Sequence, residues 1–337
     1  MANMKDLAKA AGVSLATISR VFNESDKVKP ATQKRILALA EKMNYRPNKM
    51  AAALRKGKSG SIAIVVPFIH QEVFSFAIKS MEEILRGAGY NVLICQSFES
   101  FEQEKEIIEN LKHLKIDGII ISISKETKRI HHLSALQKEN IPIIFFDRMI
   151  EIGAVNSVVI NNYNGAYQAT NHLIEQGCKN IIHLVGRKGV TIFNERRRGF
   201  EAAVTDNQKS LKTTTVITFD DGQPEGIKQL KTFLQSVNPP IGILAHGDIA
   251  ALVALRIINE LKLHIPEEVA IIGFGDSNFC TYLRPSLSSV NQRNEDVGKL
   301  AATLLINAMN QDGDLGVISQ QMLPPILKIR GSSKRKI

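Results

Sequence analysis

From Ser61 onward the chain alternates two patterns. Short runs that are apolar at almost every position, such as SIAIVVP at 61–67, give way to longer stretches whose apolar residues recur every three or four positions. A solidly apolar run fits a strand covered on both faces, and the longer spacing fits an amphipathic helix. The pattern predicts strands at 61–67, 90–97, 116–122 and 141–147, with helices at 74–87, 102–114 and 130–139 between them. The cycle restarts with strands at 155–160, 181–185, 215–219, 242–245 and 270–274, and with helices starting near Gly165, Glu195, Gln223 and Asp248. Two doubly wound α/β units in tandem follow. Such sheets take ligands at the carboxyl ends of their strands, and a pair of them frames a cleft that can close.

The first sixty residues carry helical patterns and no strand. Asn3 caps a helix from Met4, with Asp6 in its first turn and Leu7, Ala8 and Ala11 on one face. Gly12 suits the left-handed exit, and Ser14 caps a second helix from Leu15 to about Phe22 that turns Ile18, Val21 and Phe22 inward. Small Ala8, tight Gly12 and apolar Ile18 let two short helices cross steeply, as in a helix-turn-helix. A third helix follows Pro30, with Ile36, Leu39, Ala40 and Met43 spaced for one face.

Charge gives that unit a purpose. Residues 1–60 hold 13 lysines and arginines against 4 acids, a surplus of nine, whereas the other 277 residues hold 30 against 29. A cationic head on a near-neutral body is the footprint of a polyanion binder. On the outer face of the second helix, Arg20 is placed to bond guanine, and Leu15 and Ala16 to touch thymine methyls. Thr17, Ser19 and Asn23 are candidates for phosphate contacts. After Asn44 and Pro47 comes NYRPNKMAAALRKGKSGS, whose alanine-rich core is only about two turns long and marginal alone. It reads as a hinge that orders against DNA, or as a flexible basic linker. Leu54 is a candidate minor-groove wedge, with Asn48, Ala52 and Arg55 as neighbouring DNA contacts.

Composition removes several function classes. No apolar run approaches the roughly 20 residues that span a bilayer, and the start of the chain lacks the apolar core of a secretion signal. Cys95, Cys178 and Cys280 are far apart and read as buried thiols in a reducing cytoplasm. No nucleophile elbow, P-loop, HExxH or strand-linked GxGxxG occurs, so no enzyme, metal or cofactor is expected. The residues after the expected strand ends suit a small polar ligand instead. They are Phe68, Val73, Phe74, Ser97, Phe98, Asp147, Arg148, Asn161, Phe193, Asn194, Arg196, His246, Asp248 and Asp276. Carboxylates and amides bond hydroxyls, arginine grips hydroxyls or an acid, and aromatic faces stack on sugars or bases.

Taken in order, GVSLATISRVFN, NYRPN…AAALR, IDGIII, IPIIFFDR, INNYNGAYQATNHLIEQGCKNIIHLVG, ERRRGF, AIIGFGD and RPSLSSVNQ resemble the lactose-repressor (LacI/GalR) family of transcription regulators over nearly the whole chain. The resemblance implies an N-terminal all-α helix-turn-helix with a hinge helix, then an α/β effector domain like periplasmic sugar-binding proteins. The divisions would be 1–47 for DNA binding, 48–60 for the hinge and 61–331 for the effector domain, with a basic tail at 332–337. Crossovers near 161–162, 290–292 and 318–320 would divide the effector domain into one subdomain of 61–160 and 291–319 and another of 162–290 and 320–331. By position, Leu15 and Ala16 match the base-reading pair and Leu54 the minor-groove leucine. Phe74 matches an effector-stacking aromatic, and Arg196, projecting from the first turn of its helix, the effector-gripping arginine of R-x-x-G-F. Three pocket motifs depart from the family: Asn161-Asn162 for Asp-Asn, Gly247-Asp248 for Asn-Asp, and Gly273-Phe274-Gly275-Asp276 for Gly-aromatic-Asp. The chain also lacks a heptad tail, which favours a dimer over a tetramer.

The expected protein is a dimeric repressor that binds a palindromic duplex-DNA operator and is gated by a small sugar-like effector, with induction as the expected sense. Purine and sugar-acid effectors are the alternatives, the first from Phe74 as a stacking face and the second from Arg148 and Arg196. A solute-binding receptor without DNA function is a more distant reading, since it has no use for the cationic head.

Overall fold

The computed structural model describes residues 3–23, 25–45, 59–148, 155–187, 189–219, 223–310 and 319–335. The chain divides into two units, Met1–Gly60 and Ser61–Ile337. In the first unit α1 (Met4–Ala11) begins on a capping box: Asn3 Oδ1 accepts from the backbone N–H groups of Lys5 and Asp6, and Asp6 Oδ2 accepts from that of Asn3. These bonds satisfy donors that a helix start leaves open. Gly12 leaves α1 at φ 64°, where an L side chain is strained. Ser14 Oγ accepts from Thr17 N at 3.1 Å and starts α2 (Leu15–Asn23). Proline at the first turn opens α3 (Pro30–Lys42). Leu7, Ala8, Ala11, Ile18, Val21, Ile36 and Ala40 form the core that all three helices share.

The second unit contains two six-stranded sheets. The first lobe runs β1 (Ser61–Val66), α4 (Glu72–Gly87), β2 (Asn91–Gln96), α5 (Phe101–His113), β3 (Gly118–Ile121), α6 (Ser134–Lys138), β4 (Ile143–Phe146) and β5 (Ser157–Ile160). The chain then passes to the second lobe: α7 (Asn162–Glu175), β6 (Asn180–Val185), α8 (Thr191–Asp206), β7 (Thr213–Thr218), α9 (Pro224–Ser236), β8 (Ile241–Ala245), α10 (Asp248–Glu260), β9 (Val269–Gly275) and β10 (Ser288–Asn291). It returns with α11 (Asn294–Asn310) and β11 (Gln320–Leu323), then ends the fold with β12 (Ile326–Lys328). Strand orders are β11-β5-β4-β3-β1-β2 and β12-β10-β9-β8-β6-β7, the same sequence of neighbours in each lobe. Every pairing is parallel except β12 on β10. The central strands are buried along their length, which is why they are apolar at most positions, with Asn180 and His183 of β6 as buried polar exceptions.

Several boundaries differ from those the sequence predicts. The third crossover lies at Pro324–Pro325 and not at 318–320, because Gln320–Leu323 pair with Ser157–Ile160 in the first sheet and two prolines cannot continue the ladder. Residues 320–323 therefore belong with the first lobe. The supposed basic tail is not free at its start: Ser332 and Ser333 are buried, Ser332 Oγ donates to Ile271 O at 2.6 Å, and Arg335 N donates to Gln176 Oε1 at 2.8 Å. The helix expected at 130–139 is one short 3-10 turn at His131–Leu133 followed by α6. Helix α8 starts at Thr191 instead of near Glu195, which moves Arg196 from the first turn to the second. The elements β10, α11, β11 and β12 have no counterpart in the expected series; the three strands are only three or four residues long, and β10, although paired on both sides, has Val290 as its one apolar residue.

A Cβ at Gly199 of α8 would meet the Tyr163 carbonyl of α7, so Gly199→Ala is expected to lower the stability of the second lobe by about 1–3 kcal/mol in urea denaturation. His183, wholly buried in β6 with Nδ1 2.9 Å from Leu244 O, has its pKa pushed down by burial to about 3. The unfolded chain takes up that proton below about pH 6.5 while the folded chain does not, so stability falls as pH drops through this window. His183→Gln should therefore lose about 2 kcal/mol less than the unsubstituted protein between about pH 6.5 and 4.5; parallel slopes would disprove the assignment.

Candidate functional site

In the first unit α2 turns Ile18 and Val21 into the core and leaves Leu15 (42% exposed), Ala16 and Arg20 outward. That arrangement presents one guanidinium and two apolar contacts along a single helix face, a shape that enters a major groove. Thr17 and Ser19 flank the face half-buried. The Thr17 hydroxyl is already shared with Ser14 Oγ at 2.9 Å, so its first role is to close the helix start. Asn23 is the last residue of α2, and its side chain lies outside the described set. All eight lysines and arginines described in this unit are exposed. The hinge candidates Asn48, Ala52, Leu54 and Arg55 lie outside the described residues.

In the second unit a cavity of about 660 Å³ opens at the carboxyl ends of both sheets. The first lobe contributes Glu72 and Val73 from the start of α4, and Asp147 and Arg148 from the end of β4. Opposite them stand Ile192, Phe193 and Arg196 of α8, His246 and Asp248 around the end of β8, Phe274 near the end of β9, and Ser277 and Phe279 after it. Gln292 closes the floor at the second crossover. At the rim Asn278 N donates to Glu72 Oε2 at 3.0 Å, a hydrogen bond between the lobes. A groove of about 740 Å³ also runs along the outer side of α10 toward Leu283–Pro285. It is away from the strand ends, where this class of fold places ligands.

Arg196 sits at the centre of the cavity wall, 3% exposed. Its Nε donates to Asn162 Oδ1 at 2.8 Å, Nη1 to the His246 carbonyl and Nη2 to Gln292 Oε1 at 3.4 Å. The guanidinium carbon lies 3.7 Å from the centre of the Phe274 ring. Burial lowers its pKa to about 9, against the pull of Asp147 and Asp248, so it is still charged at neutral pH. Asp147, at φ +58°, has its carboxyl pushed up by burial, with Arg148 and Arg196 opposing. Asp248 is likewise raised by burial, although Ser277 N and Ser289 Oγ donate to it at 2.7 and 2.6 Å. His246 Nε2 is 2.9 Å from Phe219 O, and its ring meets Phe193 edge-on at 5.0 Å.

Of the fourteen effector candidates, Val73, Asp147, Arg148, Phe193, Arg196, His246 and Asp248 line the cavity. The other seven do not. Phe68 and Phe98 meet edge-on at 6.0 Å, and Asn194 lines a smaller chamber beside Lys125 and Thr191. Phe74 is fully buried in the first-lobe core, edge-on to Phe146 at 6.1 Å, because α4 turns that position onto the sheet. Ser97 is fully buried after β2. Asn161 caps α7 by accepting from Asn164 N at 2.9 Å. Asp276 is occupied by Arg330 at 2.6 Å and Asn291 at 2.8 Å. Glu72, Phe274 and Gln292 were missed as cavity residues, and only their places beside strand ends and crossovers hint at the role. Among the described residues no group of histidine, cysteine and carboxylate side chains is placed to hold a metal ion, and no helix is long and apolar enough to cross a membrane.

A family model described as bacterial regulatory proteins, lacI family, matches residues 3–48, and one for a periplasmic binding protein-like domain matches 170–333. Catabolite control protein A of Priestia megaterium is 29% identical over 330 residues, covering 98% of each chain. The ribose operon repressor of Halalkalibacterium halodurans is 31% identical over 315 residues, covering 92% of this chain and 91% of that one. Among solved structures, the lac repressor dimer bound to operator and the anti-inducer ONPF matches with a TM-score of 0.84 at 22% identity, over 98% of this chain and 99% of that one. This last likeness is one of fold.

Proposed function

This chain belongs to the lacI family of bacterial regulatory proteins, and on that premise we propose that it is a DNA-binding transcriptional repressor gated by a small sugar-like effector. Its relatives are named as regulators and not as enzymes, and we read this chain as non-catalytic and cytoplasmic, where genomic DNA lies. Two copies related by a twofold axis offer two α2 helices to successive major grooves, so the operator is palindromic. Arg20, Leu15 and Ala16 read bases, Thr17, Ser19 and Asn23 set the register on phosphates, and the hinge residues Asn48, Ala52, Leu54 and Arg55 engage the operator centre.

The observation that carries the gating is the bonding of Arg196. Its partners Asn162 and Gln292 belong to two of the three segments that cross between lobes. A ligand hydroxyl that bonds this guanidinium therefore acts on the joints about which the lobes move. An effector shifts the equilibrium only as far as it binds one lobe arrangement better than the other. If the favoured arrangement pairs the hinges the ligand is a corepressor, and if it separates them an inducer.

A sugar fits the wall chemistry: acceptors at Asp147 and Gln292, a donor at Arg196, and apolar contacts from Val73, Phe193 and Phe279. The relative named as the ribose operon repressor points the same way. A purine effector loses the stacking face on which it rested, since Phe74 is buried and Arg196 lies over Phe274.

Two substitutions test the reading. Arg20→Ala is expected to cost about 1–3 kcal/mol of affinity for an operator selected from genomic fragments, with a smaller loss on nonspecific duplex, by fluorescence anisotropy at fixed salt. Equal losses on both would rule out base reading. Arg196→Ala is expected to remove the response of operator binding to sugars while leaving operator affinity in their absence. A variant that responds as before would take Arg196 out of the gating path.

A further inference from the structure

The segment between β2 and α5 makes a costly bend. Phe98 and Glu99 are consecutive non-glycine residues at φ +50° and +62°, a region that L side chains enter only against steric resistance. Burial of Phe98 does not account for it, since that side chain is 53% exposed. The bend brings the Glu99 carboxylate to a site 8% exposed. There both of its oxygens lie 2.8 Å from Arg148 Nη1, and Oε2 accepts from Lys125 N at 2.8 Å.

Arg148 is the residue that this carboxylate controls. It lines the 660 Å³ cavity and also a smaller chamber of about 310 Å³, which lies beside Lys125, Lys128 and the start of α8. Its guanidinium is held between Glu99 and Asp147, whose Oδ2 is 3.7 Å from Nε. The cavity's own charged walls are Glu72, Asp147 and Asp248 against Arg148 and Arg196. With Glu99 behind Arg148, four carboxylates face two guanidiniums. An acidic or phosphorylated ligand must displace Glu99 from Arg148 and lie against Asp147, so like-charge repulsion in a partly dry site opposes it. Lys125 and Lys128 are exposed at the mouth of the smaller chamber, where water and salt screen them. An uncharged polyol meets none of this opposition and gains from the surplus of acceptors.

We propose that Glu99 is a specificity-determining residue: by holding and neutralising Arg148 it restricts the cavity to uncharged polyhydroxy ligands and excludes sugar acids and sugar phosphates. This rests on the reading of the cavity as a sugar site and sets aside the sugar-acid alternative. Glu99 acts through Arg148 and is a positioning residue, so the measurement that reports on it is selectivity, not affinity alone.

The test uses the full chain and matched probes at constant ionic strength: glucose with glucuronate and glucose 6-phosphate, galactose with galacturonate, and ribose with ribose 5-phosphate. Thermal shift identifies the members that bind, and calorimetry gives their Kd values. In the unsubstituted protein at least one neutral sugar binds, and its charged counterparts bind at least about tenfold more weakly. In Glu99→Gln the ratio of charged to neutral affinity rises about tenfold or more, and in Glu99→Gln with Arg148→Gln it does not rise. Glu99→Ser, which leaves room for water beside the guanidinium, gives the same readout where the glutamine variant does not fold. Preference of the unsubstituted protein for a charged member overturns the proposal, as does an unchanged ratio in the Glu99 variants or an equal rise in the double variant. Failure of every neutral sugar to bind instead removes the sugar reading itself, and this inference with it.

Discussion

A guanidinium buried to 3% exposure is expensive to desolvate, and the cavity is built around making Arg196 tolerable. Its donors meet Asn162, the His246 carbonyl and Gln292, and its flat face rests on Phe274, so hydrogen bonds and stacking are met together. Each of these partners belongs to a different segment of the chain. Asn162 starts α7, His246 follows β8, Phe274 is the last residue but one of β9 and Gln292 follows β10. The position of one side chain therefore fixes how four segments meet, and two of them are paths between the lobes.

That constraint depends on a close approach one turn away. Helix α8 carries Arg196 and lies against α7 at Gly199, where the Tyr163 carbonyl leaves no room for a Cβ. Phe200 beside it is buried in the second-lobe core and sets the rotation of α8. The motif ERRRGF thus combines three tasks in six residues: ion pairs on the solvent side through Arg197 with Glu201 and Arg198 with Glu195, a buried cation, and a helix contact. A run of three arginines reads as one charged patch, yet helical geometry sends one of them inward.

The first lobe answers with carboxylates. Asp147 faces Arg196 across the cavity, and the strained bend at Phe98 and Glu99 brings a second carboxylate behind Arg148. The two walls differ in kind: the second lobe presents a cation whose donors are already engaged by neutral oxygens, and the first presents a cation already engaged by acids. A ligand between them meets acceptors on one side and a shared donor on the other, which is the polarity of a polyol.

Local chemistry was legible from the residues alone. The capping box at Asn3 and Asp6, the left-handed Gly12 and the inward face of α2 involve partners within a few positions, so propensity and periodicity report them directly. The solid apolar strands announced two parallel sheets for the same reason, since burial on both faces is written into each run. The facing of isolated polar side chains was not legible. Asp276 is claimed by Arg330, 54 residues away, Glu99 claims Arg148, 49 residues away, and Phe74 lies under a sheet that its own helix spacing does not identify. A strand-end position states that a residue is near the cavity, but which neighbour takes its hydrogen bonds is settled only when distant segments meet.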